Sequence, residues 1–200
     1  MPRSPTLVVT LMLLAVSGAA AAQPTACDLL AAHPEDPDKI TAGIATSVVK
    51  QDLATAIAAC RADVARYPEV PRLTYYLGRV LFYDRQFEAG LAVIEKAAAQ
   101  GHRQSQFVAG LIYSRGSGGH QVEPCRAARQ WLDAGRRGHY AATLTIAQRY
   151  LAGTLTDCAL DTDAAELRTL VEAARSHEMA GNYYHRVLLD TLTAGLEAAE

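Results

Sequence analysis

Lysine is nearly missing from this sequence: Lys39, Lys50 and Lys96 are the only three in 200 residues. A lysine base beside a serine or cysteine nucleophile is therefore not something the chain offers, and no other nucleophile–base constellation stands out. Charge of either sign is also not in excess. Nineteen Lys and Arg face 21 Asp and Glu, a net charge of −2, which gives no bulk field to hold a phosphate backbone or an anionic lipid surface and excludes nucleic acid as an expected partner. Valine and isoleucine are few while alanine, leucine, arginine and glutamate dominate, so strands are disfavoured and the mature chain reads as all-α. There is no GxSxG elbow, phosphate-cradling glycine loop, HExxH helix or dinucleotide fingerprint. The acidic DTDAAE stretch with Asp161 and Asp163 lacks the glycine and last-position glutamate of a calcium loop, and reads as a helix start where carboxylates meet the positive end of the dipole. No enzymatic activity, cofactor or metal is expected.

The one long apolar run lies at the start. Arg3, an apolar stretch from about Leu7 to Val16 and small residues up to Ala22 have the pattern of a secretory leader, with cleavage expected between Ala22 and Gln23. The run is about half the roughly 20 residues of a membrane-spanning helix, so no stable membrane insertion is expected after cleavage. No cysteine follows it directly, which argues against lipidation. A periplasmic or secreted location follows as the expectation.

All four cysteines, Cys27, Cys60, Cys125 and Cys158, lie downstream of that leader. An even number in an exported chain points to disulfides. Three pairings are open in principle, but Cys27 to Cys60 and Cys125 to Cys158 are equal spacings, and those two pairs are expected. The close paired ligands of a structural zinc site are lacking.

The chain also repeats itself. IEKAAAQGH ends at His102, WLDAGRRGH at His139 and the weaker LVEAARSH at His177, at intervals of 37 and 38 residues. Upstream of each lies a helix in which a small residue, Gly78, Gly110 or Ala147, precedes a bulky one, Leu81, Tyr113 or Tyr150, by three positions. Residues three apart share a helix face, so the small position admits a close neighbour. Recurrence of histidine at one slot argues for a structural role over a ligand cluster. Each helix pair can bury its apolar face only against the next pair, which requires stacking.

This pattern, LG or AG before a tyrosine, a glycine loop, an acidic stretch and an alanine-rich helix ending KAAAQGH, resembles the Sel1-like repeat family over about Leu73 to His177. The resemblance implies an α-solenoid of antiparallel helix pairs, related to tetratricopeptide repeats, that serves as a protein–protein adaptor. It also implies disulfides bracing helix pairs. The expected organisation is a leader over 1–22, a capping segment over 23–72 with one helix from Thr46 to Tyr67, three repeats over 73–177 and a capping helix over 178–200.

A partner is expected on the first helix of each pair. Tyr75, Arg79 and Tyr83 recur at four-residue steps, two aromatics around a guanidinium, residue types enriched in binding hot spots. Phe107, Leu111 and Arg115 occupy the corresponding positions of the next unit, which makes Tyr75, Arg79, Tyr83 and Arg115 the candidate contacts for another protein. The plainer alternative is a buried Tyr75 with ordinary surface around it. A structural brace of an envelope assembly and a penicillin-binding or hydrolysing repeat enzyme are the competing functions.

Overall fold

A computed structural model describes residues 23–200; the leader expected over 1–22 lies outside the described residues. The described chain is built of helices, and none of them is long and apolar enough to cross a membrane. Two short helices, α1 (Ala26–Ala31) and α2 (Thr46–Val49), and the longer α3 (Leu53–Arg66) come first. Three pairs follow, α4 (Pro71–Tyr83) with α5 (Phe87–Ala99), α6 (Arg103–Arg115) with α7 (Pro124–Arg136), and α8 (Tyr140–Leu151) with α9 (Ala164–Ala174). A single helix, α10 (Tyr183–Glu197), packs on α8 and α9.

The starts and stops of these helices follow from local chemistry. Pro71 and Pro124 open α4 and α7 in the first turn, where a missing N–H costs nothing. Asp163 caps α9 by accepting from Glu166 N at 2.8 Å. Gly101 and Gly138 take positive φ, 84° and 80°, in the tight turns between α5 and α6 and between α7 and α8. The single helix expected over Thr46–Tyr67 is broken: the chain leaves α2 at Lys50, and Asp52 starts α3 afresh by accepting from Thr55 N at 3.1 Å.

Stacking is set by the small residues. A Cβ on Gly78 would lie 2.6 Å from Ile94 Cγ1 and 3.0 Å from Gly90 O, so α4 and α5 touch backbone to backbone. At the same place in the next pair Gly110 lies under the Trp131 indole, whose Nε1–H donates to Phe107 O at 3.2 Å. Ala147 fills that register in α8 and is fully buried. In α10 the eighth helical residue is Asp190, which is exposed and accepts from Arg175 Nη1 at 2.8 Å. A carboxylate at that position does not offer the small contact that Gly78, Gly110 and Ala147 provide.

Gly110→Ala is expected to cost about 2 kcal/mol by forcing the buried Trp131 off its site. Gly135→Ala, whose nearest neighbour would be Thr143 Oγ1 at 3.3 Å, is expected to be close to neutral because helix propensity offsets the tighter contact. Urea unfolding of the two variants separates these outcomes.

The core runs without interruption from Cys27 and Ala31 through Tyr76, Ile94 and Trp131 to Leu167 and Leu196. Disulfides clamp it at two points, Cys27 to Cys60 between α1 and α3, and Cys125 to Cys158 between α7 and the loop before α9.

Candidate protein-binding groove

The segment before α4 folds back over the first repeat. Asp28 accepts from Arg72 through both carboxylate oxygens, at 2.9 and 3.1 Å, and with Thr25 forms the capping box of α1. Arg79 Nη1 donates to Ala31 O at 2.8 Å and to Ala32 O at 2.9 Å, and Nη2 donates to Ile44 O at 2.9 Å. Arg79 Nε reaches the Tyr83 hydroxyl at 3.2 Å, which in turn lies 3.1 Å from Thr46 Oγ1.

This corrects the expected contact stripe. Tyr75 is 1% exposed and Arg79 3% exposed, and Tyr83 is half-buried against Thr46 and Lys50. The shared helix face is real, but it is already occupied by the chain's own N-terminal segment. Buried carbonyls must find donors, and the five-donor guanidinium of Arg79 supplies three of them. Arg115 is exposed at the end of α6, apart from the other three.

The repeated histidines are helix starts. His102 begins α6 and His139 begins α8, and in both the ring Nδ1 faces the backbone N–H three residues on, at 3.3 and 3.2 Å. His139 Nε2 lies 2.8 Å from Gln104 Oε1, and its ring stacks on Phe107 at 4.7 Å. At His139 one imidazole thus caps its own helix and bonds to the preceding repeat, and His102 shares the capping role. Burial, and next the nearby Arg103 charge, push the His139 pKa down to about 4; burial does the same at His33.

The unfolded chain takes up a proton at such a histidine near its ordinary value of 6.5, whereas the folded chain resists until about 4. Stability contributed by neutral His139 is therefore complete above pH 6.5 and falls progressively as pH drops toward 4. The loss over that window is on the order of 3 kcal/mol, checked by urea midpoints between pH 4 and 7. His139→Gln should flatten the pH dependence.

The open surface lies on the other side, between the second helices. Because α6 packs against both α5 and α7, its N-terminal half floors a groove of about 630 Å³ walled by those two helices. Ala92, Ala98 and Ala99 keep one wall low, and Gln106 and Gln130 contribute amides. Gln106 Nε2 donates to Ala98 O at 3.2 Å, which fixes the amide and leaves Oε1 without a partner although the residue is only 4% exposed. Gln130 Oε1 is likewise buried and unpaired. Lys96 and Arg137 bring positive charge to the rim and Asp133 negative charge, and among the described residues none of the three has an ion-pair partner. Glu95 is already committed, accepting from Tyr113 Oη and Arg126 Nη2. Burial, and then that carboxylate, raise the Tyr113 phenol above its ordinary range.

No residue pattern marks this groove. Glutamine at Gln106 and Gln130 is common in helices, and only the packing strips both oxygens of donors.

No family model matches the sequence, and no curated protein matches it. Among solved structures the chain is similar to c5321, a protective antigen present in uropathogenic Escherichia coli strains that displays an SLR fold, with 16% identity and a TM-score of 0.50 over 72% of this chain. The match takes in 33% of that chain, so this protein spans about a third of its neighbour's length. At this identity the likeness speaks for the fold, and together with the helix pairs, their glycine contacts and their capping histidines it makes this chain an α-solenoid with the Sel1-like repeat fold.

Proposed function

We propose that this protein is an exported adaptor that holds a segment of another protein in the groove between α5 and α7. The observation that carries the reading is the pair of buried, unpaired amide oxygens of Gln106 and Gln130. A buried acceptor without a donor costs about 1–3 kcal/mol, and a peptide that parts the groove walls enough to reach these oxygens supplies main-chain N–H donors to them. Lys96, Arg137 and Asp133 at the rim would set which charges flank that peptide and in which direction it lies.

Export is supported by the leader-like start of the sequence and by two disulfides, which persist in oxidising compartments. With all four cysteines bonded there is no free thiol to act as a nucleophile, which weighs against a cysteine-based enzyme.

The test is affinity capture from envelope extract with the mature, oxidised protein, beside a Lys96→Glu/Gln130→Leu double variant. Capture of a discrete partner that the double variant loses, with an unchanged circular dichroism spectrum, is the expected result. A partner retained undiminished by the variant would place binding elsewhere on the solenoid.

A further inference from the structure

Asp36, Asp38 and His102 are brought together where the loop after α1 crosses the start of α6. One ligand atom from each lies within 4.8 Å of the others. Asp36 Oδ2 is 3.3 Å and Asp38 Oδ2 3.9 Å from His102 Nε2. Asp36 is 0% exposed and His102 3%; Asp36 Oδ2 faces both His102 Nε2 and the Tyr76 hydroxyl, and none of the three atoms makes a well-formed hydrogen bond. Buried polar atoms satisfied only weakly by one another are costly, and the cost falls if one species satisfies them together.

Most other atoms of the cluster are held, and so is one candidate ligand atom. Asp36 Oδ1 accepts from Asp38 N at 2.9 Å, and both Asp38 oxygens accept from Arg103, Oδ2 at 3.2 Å, so a bound cation shares that carboxylate with the guanidinium. His102 Nδ1 is 2.9 Å from Ser105 Oγ. With its proton on Nδ1 and donated to that hydroxyl, at the cost of the longer backbone contact, the ring presents the Nε2 lone pair toward the two aspartates. Such outer hydrogen bonds are what orient metal ligands. The other charges nearby are accounted for: Arg72 is paired with Asp28, Arg103 with Asp38, and Lys39 Nζ donates to Asp36 O at 3.3 Å. A crevice of about 180 Å³ lined by Asp38, Arg72, Gln100, Gly101 and His102 opens beside the cluster and admits water.

We infer that Asp36, Asp38 and His102 form a binding site for a divalent first-row transition cation, with water from the crevice completing its coordination. One imidazole nitrogen and two carboxylate oxygens suit zinc, cobalt or manganese, whereas calcium takes six to eight oxygens. The ion joins the N-terminal segment to α6, so its effect is to fasten the cap to the second repeat.

The experiment uses the oxidised, tag-free protein stripped with a chelator and titrated with Co²⁺ and with Zn²⁺. Expected are one equivalent bound, a visible cobalt absorption band that zinc displaces, and a higher melting temperature. Asp38→Asn, on the partly exposed side of the cluster, should keep the helical circular dichroism spectrum and lose at least about tenfold in affinity. His177→Ala, which removes a histidine from the same slot of a later repeat, should leave affinity unchanged. Asp36→Asn should bind no cobalt, and if it fails to fold the Asp38 variant still decides. Absence of stoichiometric binding to the native protein, or equal affinity in native and Asp38→Asn proteins, overturns the site and leaves a buried Asp36–His102 hydrogen bond in its place.

Discussion

Arg79→Ala should destabilise the protein by about 4 kcal/mol and free the N-terminal segment while the later repeats stay folded. The guanidinium is the donor for Ala31 O, Ala32 O and Ile44 O, and each buried carbonyl left without one costs about 1–3 kcal/mol. Some of that loss is recovered as the segment peels into water, which is why the cap is expected to open before the whole chain unfolds. Hydrogen exchange gives the direct reading: amides over 26–49 should exchange far faster in the variant, with α6 to α9 little changed. Arg79→Lys should rescue poorly, because a single ammonium cannot address three carbonyls set around a planar fork. Arg115→Ala, at an exposed site, should change stability by less than about 0.5 kcal/mol. Equal effects at the two arginines would contradict the burial that separates them.

The two disulfides should differ in accessibility and resemble one another in energy. Each closes a loop with a sequence separation of 33 residues, which on the chain-entropy model contributes about 3.5 kcal/mol apiece. Removing Cys27 and Cys60 together as alanines should therefore cost at least that much, since both are fully buried and their sulfurs also leave a void. Cys125 and Cys158 are only partly buried. Limited reduction followed by alkylation and mass spectrometry should label that pair first, because exchange requires access of a thiolate to the sulfur. Labelling of Cys27 and Cys60 ahead of Cys125 and Cys158 would mean that the cap opens more readily than its hydrogen bonds imply.

The stacked helix pairs were legible in the sequence because their requirements recur. A residue small enough for backbone contact returns as Gly78, Gly110 and Ala147, and a histidine returns as the cap of α6 and of α8. What periodicity does not carry is the identity of the covering partner. It correctly set Tyr75, Arg79 and Tyr83 on one face, but the covering segment is an irregular loop some 35 to 50 residues upstream whose path no local pattern fixes. The cluster of Asp36 and Asp38 with His102 was hidden for the same reason, being assembled across more than 60 residues. The break between α2 and α3 was missed because the apolar spacing from Leu53 onward extrapolates smoothly upstream, whereas Asp52 satisfies the backbone better as a cap. Gln106 and Gln130 carry no signal at all until their neighbours have been placed.

The groove spans the first two repeats, and both are held on their outer sides. The cap closes on α4, Trp131 locks α7 onto α6, and the histidine starts bond successive layers. A rigid scaffold of this kind presents a peptide site without having to order it on binding, which favours affinity.

Site-specific photocrosslinking in the intact, oxidised protein tests whether the groove holds the partner. A photoreactive residue is introduced singly at Ala92 and Ala99 on the groove wall, and at Ala165 and Ala173 on exposed positions of α9. Crosslinks to one discrete partner from the two groove positions, absent from both α9 positions, are expected. The same partner crosslinked from α9 and not from the groove would contradict binding in the groove.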